Sequence, residues 1–142
     1  MLSKVFLILI VVVFNMVKCD ASVLVPCSDV KMIVEDLKLS LNPADPTSGN
    51  NYTINISFTL PETVDDISSG TMEILASLNG FPLGKTDKKL CDEIECPISI
   101  GFHEYSWEGQ VPTSVHGQLK FHEEWFTDDD RDILCFDAYY DL

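Results

Sequence analysis

The side chains in this chain whose types and spacing most clearly indicate a chemical role are its cysteines, which can form disulfides. Cys27 and Cys135 lie at opposite ends of the region after the first 19 residues, whereas Cys91 and Cys96 lie within one short segment. The fifth cysteine, Cys19, lies at the edge of an N-terminal segment that we expect to be removed as a secretory leader. The remaining four are an even set, which predicts a disulfide framework and leaves no free thiol as a nucleophile. The spacing favours one long link, Cys27–Cys135, and one local link, Cys91–Cys96. Four cysteines allow three connectivities, so the alternatives stay open.

The other reactive side chains do not form a recognisable catalytic or metal-binding pattern. The three histidines lack the spacing of zinc ligands, and the sequence has neither a Gly-x-Ser-x-Gly motif nor a glycine-rich phosphate loop. The acidic run Asp128–Asp130 lacks the alternating ligands of a calcium loop and predicts a solvated turn. Glu123 and Glu124 would leave a strand on opposite faces, which is poor geometry for acid–base partners. We therefore expect no enzyme, no metal site and no cofactor.

Residues 1–19 have the pattern of a secretory signal peptide. A short segment with one lysine precedes the apolar run Val5–Phe14, which is too short to span a bilayer comfortably. We expect cleavage after Cys19 and a single domain over residues 20–142; a slightly later cut and an uncleaved signal anchor are the alternatives. The whole chain carries a formal net charge of −14 at pH 7, which argues against nucleic acid as a partner.

The elements that position these side chains follow the two-residue period of β-strands. Tyr52–Leu60 is the clearest case, because its apolar and polar residues alternate without interruption. The other predicted strands are Leu37–Leu41, Thr71–Leu78, Ile98–Glu108, Gln118–Phe126 and Ile133–Tyr140. Asn79-Gly80 and Asp128–Asp130 predict turns, and no helix is predicted. Six or seven short strands fastened by disulfides indicate an all-β two-sheet sandwich, with a closed barrel as the alternative.

Two N-glycosylation sequons lie at the start of the clearest strand, at Asn51-Tyr52-Thr53 and Asn55-Ile56-Ser57. Asn55 is one of the polar residues that alternate with the apolar ones in that strand, so a glycan there would face solvent. We expect at least one sequon to be used.

Aromatic residues are abundant for a domain of this size. Eight of them are Phe58, Phe81, Phe102, Tyr105, Trp107, Phe121, Trp125 and Phe136. Composition alone favours a filled sandwich core. Sheets that splay apart would instead enclose a cavity for an apolar ligand, and periodicity does not distinguish the two.

The order and spacing of these features resemble the ML-domain lipid-recognition family of secreted β-sandwich proteins. That family includes sterol carriers of the Niemann–Pick type C kind and phosphatidylglycerol/phosphatidylinositol transfer proteins. The resemblance is carried by Cys27, the strand Val34–Leu41 with Asn42-Pro43, Tyr52–Thr59, Cys91–Ile98, Val111-Pro112, Glu124-Trp125, Asp128–Asp130 and Leu134–Phe136.

The resemblance implies an immunoglobulin-like sandwich with an apolar pocket between two splayed sheets. It also implies the pairings Cys27–Cys135 and Cys91–Cys96. Phe81, with Pro82 and Leu83, would form a loop beside the mouth of the pocket. The residues of this chain that would line the family's pocket are those whose alternation along the strands points them inward. They are Ile54, Ile56, Phe58, Tyr105, Trp107, Phe121, Trp125 and Phe136.

The function implied by the resemblance is lipid binding and transfer between membranes, in the secreted or endolysosomal compartment, by a monomer. The segment 42–47 lacks a cysteine that some members carry, which favours a phospholipid over a sterol as cargo. Lys85, Lys88 and Lys89 would contact anionic headgroups at the membrane, or else form a solvated lysine-rich loop. A rival from another class is an extracellular recognition module with a solid core and no lipid.

Glu123 departs from the family pattern, because it has the inward parity of Phe121 and Trp125 where sterol carriers place an aliphatic residue. A buried carboxylate without a partner is costly. We expect Glu123 to be paired, to have a raised pKa or to lie near the opening; a bulge that turns it to solvent is the alternative.

Overall fold

A computed structural model describes residues 22–142, so the predicted leader and its cleavage site lie outside the described residues. The described chain contains eight strands and one helical turn, α1 (Leu90–Glu93). Between residues 22 and 142, no helix has the length and hydropathy needed to cross a membrane. The strands are β1 (Val23–Pro26), β2 (Glu35–Asn42), β3 (Asn51–Leu60), β4 (Thr71–Leu78), β5 (Phe81–Lys89), β6 (Gly101–Gln110), β7 (Gln118–Phe126) and β8 (Asp132–Asp141).

The strands form two antiparallel sheets, so the predicted two-sheet sandwich is confirmed and the closed barrel is wrong. One sheet has the order β1-β8-β7-β4-β5, and the other has the order β2-β3-β6. Strand β3 is central in the smaller sheet, where its inward residues Ile56, Phe58 and Leu60 are fully buried. The alternation that predicted this strand therefore reflects one face against the other sheet and one face towards solvent.

Two strands and the short helical turn were not predicted from the sequence. The prediction that Phe81-Pro82-Leu83 form a loop is wrong, because these residues begin strand β5 at the edge of the larger sheet. All nine residues of β5 are exposed, so the strand lacks the apolar alternation that burial imposes. Strand β1 has only four residues and α1 is a single turn of four, both too short for a periodic signal.

Two disulfides fasten the sandwich. Cys27, just after β1, is joined to Cys135 in β8 with their Cα atoms 5.4 Å apart. Cys91 in α1 is joined to Cys96 with a Cα separation of 5.5 Å, which holds the connection between β5 and β6. The first link closes almost the whole described chain, and the second closes one local loop.

Candidate functional site

Aromatic side chains fill one part of the space between the sheets. The indole of Trp125 is fully buried, and its ring centroid lies 6.2 Å from Phe58, 6.1 Å from Tyr105 and 5.9 Å from Trp107. These rings meet edge to face, an arrangement that contributes about 0.5–1.5 kcal/mol per pair beyond area burial. Ile56 is fully buried in the same cluster. Five of the residues predicted to line a pocket thus pack against one another as core.

The remaining part of the inter-sheet space is hollow. A cavity of about 200 Å³ lies there, and a second cavity of about 80 Å³ shares Tyr52, Phe121 and Tyr140 with it. The smaller sheet contributes Tyr52 and Ile54 to the larger cavity. The larger sheet contributes Ile74, Phe121, Glu123, Phe136, Ala138 and Tyr140.

Three of the predicted lining residues, Ile54, Phe121 and Phe136, border this hollow part. The sequence reasoning missed Tyr52, Ile74, Ala138 and Tyr140 as lining residues. Parity alone could have found Ala138 and Tyr140, because they lie two and four residues beyond Phe136 on β8 and share its inward face.

Glu123 is a carboxyl group within this cavity. It lies opposite Ile74 on one side and Phe136 on the other, and the register of β7 is regular up to Trp125. The bulge that would have turned it to solvent does not precede it. The indole Nε1–H of Trp125 donates a hydrogen bond of 2.8 Å to Glu123 Oε1.

Burial raises the pKa of Glu123 above its ordinary value, because an apolar environment disfavours the charged form. The hydrogen bond from Trp125 and the positive charge of Lys88 act in the opposite direction. Lys88 itself forms an ion pair of 3.1 Å with Glu93, whose negative charge raises the pKa of Glu123 further. The carboxyl group therefore has a charged neighbourhood but no ion-pair partner of its own among residues 22–142.

Two phenols add hydroxyl groups to the same cavity. The rings of Tyr52 and Tyr140 lie 5.5 Å apart between centroids, and Phe121 contacts Tyr140 at 6.0 Å. Burial raises the pKa of the Tyr140 hydroxyl, so it stays protonated at neutral pH. An apolar cavity with a few convergent polar groups is the usual composition of a small-molecule binding site.

The predicted lysine patch is divided between the two faces of β5. Lys85 lies opposite Leu75 and Lys89 opposite Thr71 on the outer face, whereas Lys88 lies opposite Met72 on the inner face. Lys85 Nζ is 2.6 Å from a Glu73 carboxylate oxygen. Beside them, the apolar side chains of Phe81 and Leu83 are 75% and 61% exposed.

The two sequon asparagines lie on the smaller sheet. Asn51 is exposed at the start of β3, and Asn55 is half-buried in the middle of that strand. The Asn55 side chain accepts a 2.5 Å hydrogen bond from Ser106 and donates a 3.4 Å one to Ser40. Its use as a glycosylation site stays a prediction.

On the outer face of the larger sheet, His122 lies beside the long disulfide. Its Nδ1 is 2.7 Å from Asp137 Oδ1, and its Nε2 is 3.8 Å from the Cys135 sulfur. Because Cys135 is bonded to Cys27, these groups do not make a thiolate metal site.

The acidic turn between β7 and β8 is held by hydrogen bonds among its own residues, since Asp129 accepts hydrogen bonds from Thr127 and Arg131.

Comparison with known proteins places this architecture in a family. The sequence model of the ML domain matches residues 21–142. Phosphatidylglycerol/phosphatidylinositol transfer proteins from two strains of Cryptococcus neoformans var. neoformans serotype D are 20% identical over an alignment 112 residues long that covers 73% of this chain. The matched region spans 61% of the length of those relatives.

Two solved structures share the fold. A Niemann-Pick type C2 protein from the Japanese carpenter ant superposes with a TM-score of 0.54 at 17% identity, over 75% of this chain and 92% of that one. Chicken MD-1, solved in complex with lipid IVa, gives a TM-score of 0.51 at 10% identity, over 85% of this chain and 99% of that one. Because the ML-domain model matches every described residue, this chain belongs to the ML-domain family.

Proposed function

We propose that this protein binds one lipid in the hollow part of its sandwich and carries it between membranes. The observation that carries the proposal is the cavity bordered by both sheets, with mostly apolar walls and three polar groups. Burial of an apolar ligand there would be favourable by about 25 cal/mol per Å² of apolar surface removed from water. Membership in a family with named lipid-transfer proteins supports the same conclusion. Binding and release need no covalent chemistry.

A phospholipid is our first candidate for the cargo, because the named sequence relatives are phosphatidylglycerol/phosphatidylinositol transfer proteins. A sterol is the second candidate, and the size of the cavity favours it. The two cavities, of about 200 and 80 Å³, are small beside the roughly 300–1,000 Å³ of most ligand pockets. A two-chain phospholipid would require the sheets to move apart more than a sterol would.

We further propose that the β4–β5 hairpin meets the membrane. Phe81 and Leu83 expose apolar surface, and Lys85 and Lys89 lie on the outer face of the same strand. Exposed apolar groups beside lysines suit an anionic bilayer surface, where each lysine contributes on the order of 1 kcal/mol. The signal peptide at residues 1–19, secretion and a lumenal or extracellular location belong to the same proposal.

Transfer of a fluorescent phospholipid or sterol between vesicles tests the proposal directly. We expect transfer that increases with protein concentration, and a rate that falls when Lys85 and Lys89, the two lysines on the outer face of β5, are changed to Glu. The matched control reverses the same number of charges elsewhere, with Lys31→Glu and Lys38→Glu at exposed positions outside the β4–β5 hairpin. Equal transfer rates for all variants would contradict the proposed contact between these lysines and anionic headgroups. Binding without transfer would indicate a recognition protein. The absence of both binding and transfer would instead support an interaction module with a solid core.

A further inference from the structure

The geometry points to Glu123 as the residue that selects the ligand. It favours an amphiphile that brings a hydrogen-bond donor, a hydroxyl or an amine, into the cavity over one that brings a phosphate or carboxylate to the same place. This inference rests on the proposed binding function and narrows it to a sterol, whose polar group is a hydroxyl, or to a phospholipid whose phosphate stays away from Glu123.

The first reason is the unused hydrogen-bonding capacity of the carboxyl group. An ionised carboxylate has two oxygens that together offer about four acceptor positions. Within the described part of the chain, the Trp125 indole is the one hydrogen-bond donor to Glu123, and it occupies Oε1. The other walls nearby are Ile54, Ile74 and Phe136, which offer no side-chain donor. A buried polar group gains most from a ligand that supplies the missing donor.

The second reason is the sign of the surrounding charge. Lys88 is the basic residue whose charge acts on Glu123, and its ammonium group is already paired with Glu93. The Tyr140 phenol on β8 is neutral at ordinary pH. When Glu123 is ionised, the cavity therefore has a net negative surrounding. A phosphate or carboxylate placed beside it would meet like charge, and the described residues offer no unpaired cation next to Glu123 to offset the repulsion.

A third reason is the way in which a polar group in a binding site discriminates between ligands. A site that hydrogen-bonds a ligand hydroxyl rejects analogues without it far more strongly than an apolar pocket rejects a small change in size. An aliphatic residue at position 123 would leave the two phenols as the cavity's polar side chains. The carboxyl group of Glu123 thus distinguishes this cavity from one that recognises shape alone.

Three probes with the same acyl chain separate these contributions: lauryl alcohol, methyl laurate and laurate. Each would displace a fluorescent apolar probe from the protein at about pH 8, where carboxyl groups are normally ionised. We expect the unmodified protein to bind lauryl alcohol roughly tenfold or more tightly than either other probe. Glu123→Val should bind the alcohol and the ester about equally and should admit laurate. Glu123→Gln should keep the preference for the alcohol over the ester but reject laurate less.

The outcomes separate the selection from the function it rests on. Equal affinity of the unmodified protein for lauryl alcohol and laurate, or an unchanged preference in Glu123→Val, would overturn the role of Glu123 while leaving lipid binding intact. Failure of the unmodified protein to bind any probe, or any phospholipid or sterol, would overturn both. Urea unfolding of each variant, followed by tryptophan fluorescence, establishes that the variants are folded; Glu123→Gln provides the nearly isosteric case.

Discussion

Filling the cavity should stabilise this protein, whereas the same kind of change in a solid core would destabilise it. Ala138 is the most informative position, because it is 2% exposed and its short side chain borders the cavity of about 200 Å³. In the Ala138→Leu variant, three additional carbon atoms would extend from β8 into that space. We expect this variant to unfold at a higher urea concentration than the unmodified protein and to take up less lipid.

The expected gain in unfolding free energy follows from the three added carbons, because the cavity has room to bury them. Burial of each added CH₂ group is worth about 0.8 kcal/mol, so three added carbons contribute up to about 2 kcal/mol where room exists. Side chains forced into a well-packed core instead cost about 1–3 kcal/mol. The two cases therefore differ in sign, and the difference exceeds the error of a urea titration.

Leu134→Phe provides the matched control on the same strand and the same inward face. Leu134 is fully buried and lies opposite Trp125 in the filled part of the sandwich. We expect this variant to lose about 1–3 kcal/mol of unfolding free energy. Both variants are measured as lipid-free protein by urea unfolding with tryptophan fluorescence. If Ala138→Leu is destabilised as strongly as Leu134→Phe, the space near Ala138 is packed and the reasoning is wrong.

Two further predictions concern stability. Changing Cys27 and Cys135 to Ala removes a link across 108 residues and should lower the free energy of unfolding by about 4.7 kcal/mol, against about 2 kcal/mol for Cys91 and Cys96 across 5 residues. Equal losses in urea titrations of the two double variants would contradict this chain-entropy account. Glu123, whose pKa is raised in the folded state, contributes stability that is complete below the ordinary glutamate pKa of 4.5 and is lost as pH rises through the folded value. Unfolding free energies measured from about pH 4 to about pH 8 should therefore fall less in Glu123→Gln than in the unmodified protein, and parallel curves would refute the burial of this carboxyl group.

The sequence predicted the strands that have one buried face and missed those that do not. Tyr52–Leu60 and Gln118–Phe126 were predicted to within a residue, because burial against the opposite sheet imposes the two-residue period. Strand β5 is exposed along its whole length, so its residues were free of that constraint and gave no signal. Its place in the sheet comes from backbone pairing with β4.

The position of the cavity depends on both sheets together, which explains why parity could not locate it. Phe121 and Trp125 have the same inward parity on β7, yet Phe121 borders the hollow part and Trp125 is packed. The difference comes from the opposite sheet, which places Tyr105 and Trp107 against Trp125. The period of one strand records which side faces inward and carries no information about what meets it there.

The measurement that tests the central claim most directly is mass spectrometry of the purified protein, first under native conditions and then after denaturation, with extraction of any bound molecule. We expect one lipid per protein chain, released on denaturation, either carried from the expression host or acquired from vesicles. The extracted lipid would also identify the cargo class. A protein that carries no lipid and takes up neither phospholipid nor sterol from vesicles would contradict the proposed function.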